Sequence, residues 1–365
     1  MKVLLINNYS MEHAYNLWKQ GTSGSHHIWG KVELESRGDI EMILLPHVKY
    51  KFLNKIGRYF GIGHLDQQIR VLGNLNKFDI LYAPYGSANT KLLLILKWVG
   101  IFRKPIVAAI HQPFLGTKSN QKLKKHLAKH LILQYDAVIF LSEVLMKDTI
   151  EILQFPKALV NEKFSTAQWG PDINFYKEMN KSRIDFDDCS YFISAGHTDR
   201  DYETLIEAFR EINFPLHIYC TPTTIPKTKD IPDHVKIFSS TVPYVELLQH
   251  YKHARAILIP LKYPSHKEGC QGMTSLQDVI ALAKPVVMTK NISLNLDIEK
   301  EGIGHTVEMY DVGGWRNTLL DFLTDQAGWN TMVQNTKRVY QEKFNSVIFA
   351  DSLEKVFRKV YERHK

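Results

Sequence analysis

The chain has only three cysteines, Cys189, Cys220 and Cys270, and they lie too far apart for any metal-ligand spacing. A structural zinc site and a disulfide framework are therefore not expected, and so few thiols fit a reducing, cytoplasmic compartment. Long apolar runs are missing too. The longest, 92–102, is interrupted by Lys97 and is too short to cross a bilayer as a helix. The N-terminal MKVLLINNYS turns polar too soon for a secretory signal and reads as a first strand. No Gly-x-Gly-x-x-Gly occurs, which leaves a dinucleotide cofactor without support. Internal repeats and low-complexity tracts are absent, and no nucleic-acid module with aromatic platforms is visible, so nucleic acid is not an expected partner.

What is present suits two domains. The chain is 365 residues long, and 44% of them are hydrophobic, enough for two sizeable cores. Its net charge is +8, and that excess is unevenly shared. Residues 1–175 hold 22 basic and 13 acidic residues (+9), and the remainder holds 24 and 25 (−1). A basic first half favours anionic partners such as a membrane surface or a pyrophosphate-linked lipid, or it is simply a solvated face. Within it, HVKYKFLNKIGRYFGIG interleaves Val48, Phe52, Leu53, Ile56, Tyr59 and Phe60 with Lys49, Lys51, Lys55 and Arg58. At helical spacing this is a basic amphipathic segment, suited to a membrane interface or to packing on a core with a charged outer face.

The segment Ala254 to Thr289 reads as strand, loop, helix, strand. Ala256 to Ile259 is an apolar run fit for a buried parallel strand. Tyr263 to Gly272 is a loop, Met273 to Ala283 has helical periodicity, and Lys284-Pro285 stops that helix before Val286 to Met288. Gly269, Gly272, Met273 and Thr274 stand where the helix begins. Free backbone N–H groups and the positive end of the helix dipole make such a place a phosphate site, although glycines also start ordinary helices.

GMTSLQDVIALAKPVVMT resembles the donor-binding segment of retaining GT-B glycosyltransferases of family 4. Their usual pattern is a Glu, a Gly-rich turn, a second Glu eight residues on, and a helix ending in Gly-Lys-Pro-Val-Val. Asp278 falls on the second Glu and implies a ribose ligand. Glu268, ten residues before it, is the nearest acid to the first, with Cys270 at the strict spacing and Ala283 in place of the Gly. Gly196-His197-Thr198-Asp199-Arg200 follows the apolar Tyr191 to Ala195 and resembles the family's Gly-Arg…Lys turn, which grips the donor pyrophosphate. His197 stands in the Arg place and Arg200 near the Lys place, unless Arg200 is spent on a salt bridge to Asp199, Asp201 or Glu203.

The first half fits the same pattern. Val3 to Ile6 reads as a strand, 21–25 as a glycine turn, and His26 to Ser36 as a helix capped by Ser25. In the resembling family this loop faces the acceptor, which makes Gly24, His26 and His27 acceptor-side candidates, or else structural residues. His111 directly follows the strand 105–110 and stands where family 4 often has a His against the donor sugar. Trp169-Gly170-Pro171-Asp172 resembles the family's interdomain linker.

The resemblance implies two Rossmann-like α/β domains with parallel sheets facing a cleft (GT-B). The expected domains are 1–175 for the acceptor and 176–345 for the nucleotide sugar, with a C-terminal helix in 346–365 crossing back to the first. It implies a metal-independent, cofactor-free hexosyltransferase that moves sugar from a nucleoside diphosphate to a glycan or lipid-linked acceptor. Such an enzyme would serve cell-surface polysaccharide or glycolipid synthesis, peripherally on the inner membrane face. His111 and Glu268 would orient the sugar, and Gly196, His197, Arg200, Gly272, Met273, Thr274 and Asp278 would bind the donor. A sugar-nucleotide epimerase or hydrolase of the same fold, or a non-catalytic glycan- or membrane-binding member, are the alternatives.

Overall fold

A computed structural model describes residues 1–114, 121–181, 184–264 and 268–365. The chain divides into two compact units. One contains the described residues of Met1–Trp169, His266–Gly269 and Ser346–Lys365, and the other those of Gly170–Ser265 and Cys270–Asn345. Each is built on a parallel sheet of six strands.

In the first unit the strands are β1 (Lys2–Leu5), β2 (Glu41–Leu44), β3 (Ile80–Ala83), β4 (Ile106–Ile110), β5 (Ala137–Phe140) and β6 (Phe164–Thr166), in the order β2-β1-β3-β4-β5-β6. Every residue of β3, β4 and β5 is buried. This is why these strands read as unbroken apolar runs, since helices cover both faces of a parallel sheet. The winding reverses between β1 and β3, so the loops after these two strands border the switch point of the sheet.

The second unit has β7 (Tyr191–Ala195), β8 (Leu216–Tyr219), β9 (Val235–Phe238), β10 (Ala254–Ile259), β11 (Val286–Thr289) and β12 (Gly304–Val307), in the order β12-β11-β10-β7-β8-β9. Alternate side chains feed two cores. Ile193, Ile257 and Ile259 join Leu276 and Val279 in one, while Phe192, Ala256 and Leu258 join Leu205, Trp315 and Trp329 in the other. Here the winding reverses between β7 and β10, so the turn at Gly196 and the loop leading to Gly272 flank the switch point.

The C-terminal helix Ser346–Arg363 belongs to the first unit. It buries Phe349, Leu353, Phe357 and Val360, sets the Phe357 ring edge-on to Tyr82 at 5.1 Å, and pairs Asp351 with Arg37 at 2.7 Å. Among the described residues no helix is long and apolar enough to cross a membrane.

Three local expectations need correction. A helix, Met11–Lys19, lies between β1 and the glycine turn, capped by the Ser10 hydroxyl, which accepts from the His13 amide. The expected single helix from His26 to Ser36 is split into a 3-10 turn, Ser25–Ile28, and a short helix, Lys31–Glu35. Trp29 and Gly30 between them have φ of 54° and 85°, left-handed values that end helical propagation. Ser25 is not a cap; its hydroxyl donates to the Glu33 carboxylate. The helix expected over Met273 to Ala283 ends at Ala281, and Ala283 takes a left-handed φ of 53°.

That conformation favours glycine, because an alanine Cβ crowds the following carbonyl. Ala283→Gly should stabilise the protein by about 0.5–1 kcal/mol, read as a higher urea midpoint at unchanged slope. An unchanged or lower midpoint would mean that the buried methyl contributes more than the strain costs.

Candidate functional site

In the second unit the site is built around one cation. β7 ends at Ala195 and the chain turns at Gly196, directly over which lies the Arg200 side chain. A Cβ at Gly196 would fall 2.3 Å from Arg200 Nε and 2.5 Å from Cζ. The guanidinium donates from Nη2 to Ser275 Oγ at 2.8 Å, from Nη1 to the Thr198 carbonyl at 3.0 Å and from Nε to the Ala195 carbonyl at 3.4 Å. Arg200 and Leu261 form a β-bridge that joins the loops after β7 and β10. The alternative, a salt bridge to Asp199, Asp201 or Glu203, is not formed among the described residues. Glu203 pairs with Lys262 at 2.5 Å, and Asp201 accepts from the Thr204 amide to cap a helix. Among the described residues Arg200 has no carboxylate partner, and burial holds its pKa below the ordinary value despite Tyr202, Tyr251 and Asp199 nearby. A guanidinium has five N–H donors, and three are used.

Ser275 lies in the first turn of the helix Met273–Ala281. The preceding Gly272 has φ 84° and packs between Ile259 and Leu261, where a Cβ would come within 3.2 Å of both side chains. Only glycine suits that combination. Among the described residues the amides of Thr274 and Ser275 have no backbone acceptor, whereas the Met273 amide donates to the Cys270 carbonyl at 3.2 Å. The Met273 amide is thus already engaged, and its side chain is buried. Thr274 is exposed beside Arg200's partner Ser275, and His197 is exposed on the preceding turn.

Asp278 sits one turn after Ser275 on the same helix face. Its Oδ1 accepts from the Tyr176 hydroxyl at 2.7 Å and the Tyr244 hydroxyl at 2.5 Å, and the two hydroxyls are 2.6 Å apart. Burial pushes its pKa up to about 6, against the opposing pull of the two phenols. Tyr251 feels both charges, raised further by Asp278 and lowered by Arg200. Tyr176, Tyr244 and Ser275 were not anticipated. The tyrosines lie 102 and 34 residues from Asp278 in sequence, and nothing local marks them.

In the first unit, His111 follows β4 at the carboxyl edge. Tyr85 packs edge-on against its ring at 4.4 Å, burial pushes its pKa down to about 4, and its Nδ1 has no hydrogen-bond partner among the described residues. Gly269 is in the same unit, close enough that a Cβ on it would come 2.9 Å from the His111 carbonyl and 2.8 Å from Gln112 Oε1. This brings the loop carrying half-buried Glu268 against the His111 backbone. Gly24 is buried with extended backbone and opens the 3-10 turn that carries His26 and His27. The His26 carbonyl accepts from the Trp169 indole at 3.0 Å, Trp169 stacks on Trp29 at 4.8 Å, and the His27 carbonyl accepts from the Tyr9 hydroxyl at 2.6 Å. His26 is driven well below the ordinary range by burial and His27 to about 4, so both are neutral at pH 7. His26 is part of the packed interior, and half-buried His27 reaches the surface.

No protein-family model matches the chain, and no curated protein does. Solved structures do. A sucrose-phosphate synthase from Thermosynechococcus elongatus is 14% identical at a TM-score of 0.66, covering 100% of both chains. Anabaena HepE in complex with UDP and glucose is 14% identical at a TM-score of 0.64, covering 98% of this chain and 99% of HepE. WaaG, a glycosyltransferase involved in lipopolysaccharide biosynthesis, is 12% identical at a TM-score of 0.60, covering 98% and 99%. These neighbours are GT-B glycosyltransferases, and this chain has their two-sheet α/β fold.

The raised Asp278 pKa has a thermodynamic consequence. The native state holds this proton more tightly than the unfolded chain, so the stability it contributes is full below pH 4 and is lost as pH rises through about 6. Asp278→Asn, which keeps an acceptor for both phenols, should match wild type near pH 4. By pH 7 it should exceed wild type by up to about 3 kcal/mol, measured by denaturant unfolding across that range. Parallel curves would show that Asp278 is not raised.

Proposed function

We propose that the protein is a glycosyltransferase that moves a hexosyl unit from a nucleoside diphosphate sugar to a glycan or lipid-linked acceptor. One observation carries the reading: the half-buried Arg200 guanidinium has no carboxylate salt-bridge partner among the described residues and is tied to the first turn of the helix Met273–Ala281. Two spare N–H donors, the free amides of Thr274 and Ser275 and the positive helix end converge at the switch point of the second sheet. That arrangement suits a diphosphate, and preorganised donors aimed at a departing diphosphate are where negative charge develops in glycosyl transfer.

In this reading Arg200 and the two amides stabilise the leaving group, which calls on no resident cofactor. His197, when protonated, adds a further donor from the turn at Gly196. Asp278, oriented by Tyr176 and Tyr244, accepts from the ribose hydroxyls. His111 and Glu268 orient the sugar, with neutral His111 offering its ring nitrogens as hydrogen-bonding groups. In a front-face mechanism with retention, the leaving diphosphate oxygen takes the acceptor proton, so no separate general base is required. Gly24 and His27 lie on the acceptor side. UDP is the favoured donor nucleotide, since HepE was crystallised with UDP and with UDP-glucose. A lipid-linked acceptor would bring the enzyme to the inner face of a membrane in cell-surface glycan synthesis.

Thermal-shift titration with UDP, GDP and ADP tests the donor site. UDP should raise the melting temperature of wild type. Arg200→Ala should weaken UDP binding by roughly 10- to 100-fold, the usual worth of charge-assisted hydrogen bonds. Gly196→Ala, which displaces the guanidinium without removing it, should do the same in direction. Turnover of UDP-hexose that needs no acceptor would favour an epimerase or hydrolase. No shift with any nucleotide would overturn the reading.

A further inference from the structure

The helix Lys51–Tyr59 presents its apolar side chains outward. A helix on a soluble core turns its apolar stripe inward. Here Phe52, Ile56, Tyr59 and Phe60 are 59%, 45%, 86% and 65% exposed, and the only buried residue of the helix is Gly57. Gly57 is the seat of the helix. A Cβ there would fall 2.4 Å from the Ile62 carbonyl and 2.7 Å from Leu65 Cβ, so the helix cannot roll to bury its apolar side without losing this close approach.

Its N-terminal end is fixed as well. Asp66, held below the usual carboxylate range by Arg70 and two backbone amides despite its burial, accepts from the Lys49 and Tyr50 amides, both at 3.0 Å. Asn54 in turn accepts from the Asp66 amide at 3.0 Å.

Lys51, Lys55 and Arg58 repeat at helical spacing and form a second exposed stripe about 100° around the helix from the apolar one. Among the described residues none of these cations, nor Lys49, has an ion-pair partner, and no acidic residue occurs between Glu41 and Asp66. Side-by-side apolar and basic stripes, both facing water on a rigid seat, match an anionic bilayer. The rings enter the headgroup–acyl boundary while the long cationic stems reach back to phosphates. A protein partner covering this helix would need a complementary acidic, apolar groove, whereas an anionic bilayer supplies both properties over any area.

We propose that this helix docks the protein on an anionic membrane surface, with Phe52, Ile56, Tyr59 and Phe60 inserted and Lys49, Lys51, Lys55 and Arg58 on the headgroups. Co-sedimentation of the full chain tests it, using vesicles of phosphatidylcholine mixed with phosphatidylglycerol and vesicles of phosphatidylcholine alone. Wild type should bind the mixed vesicles, weaken with added salt, and bind neutral vesicles poorly. Lys51→Ala with Lys55→Ala should lower the partition coefficient roughly 25-fold, about five-fold per basic residue near the surface. Tyr59→Ser with Phe60→Ser should lower it at unchanged charge.

Lys122→Ala, Lys124→Ala and Lys125→Ala, on a separate helix of the same unit, should leave most of the binding. Equal loss from these changes would reduce the effect to net charge and overturn the proposal. So would binding that survives the aromatic pair, or self-association through this face without vesicle binding. UDP-induced stabilisation is read on the same variants. It should persist in all of them, so failure of membrane binding is distinguishable from failure of the donor site.

Discussion

Drawing a guanidinium partly out of water without a carboxylate partner costs free energy, and in the second unit the half-buried Arg200 bears that cost in one fixed place. Two backbone carbonyls and the Ser275 hydroxyl hold it, the absent side chain of Gly196 makes room for it, and the β-bridge to Leu261 ties its loop to the neighbouring strand. Removing a charge from water is tolerable when its donors are met by fixed dipoles. The same helix carries Asp278 one turn further on, where two phenols play the corresponding part for a carboxylate. Ser275, which holds the cation, and Asp278 thus lie on one helix face about 4.5 Å apart in rise, and Tyr251 senses both charges.

The first unit handles its polar edge differently. His26, His27 and His111 are neutral by burial rather than by pairing, and an aromatic group of Tyr9, Trp29, Tyr85 and Trp169 surrounds them. Neutral imidazoles can donate from one nitrogen and accept at the other, which suits hydroxyl-rich ligands better than phosphates. The basic excess of this unit is spent elsewhere, on surfaces such as the helix Lys51–Tyr59.

Much of the architecture could be read in advance. The runs at β4, β5, β10 and β11 are continuous because both faces of a parallel sheet are covered. The turn at Gly196 and the helix start at Gly272 were legible because close backbone approach demands glycine. The helix Met11–Lys19 was missed because the polar Asn7 to Ser10 looks like the beginning of a long loop, although Ser10 is a sound cap. The helix expected over His26 to Ser36 failed at Trp29, whose left-handed backbone has no signature in a tryptophan. The engagement of the Met273 amide was not legible, because a place at a helix start says nothing of whether its amide is already bonded.

The sequence by itself determined the alternation of apolar strands and amphipathic helices, the division of charge between the halves, and the glycines where chains pass closely. These are properties of residue type and spacing, and local physics suffices for them. Only the tertiary structure decided that Arg200 meets Ser275 rather than its acidic neighbours, that Tyr176 and Tyr244 converge on Asp278, and that the helix at Lys51 faces outward. Such outcomes depend on which distant groups share a small, dry volume. There, the cost of leaving a donor or charge unmet far exceeds any local preference.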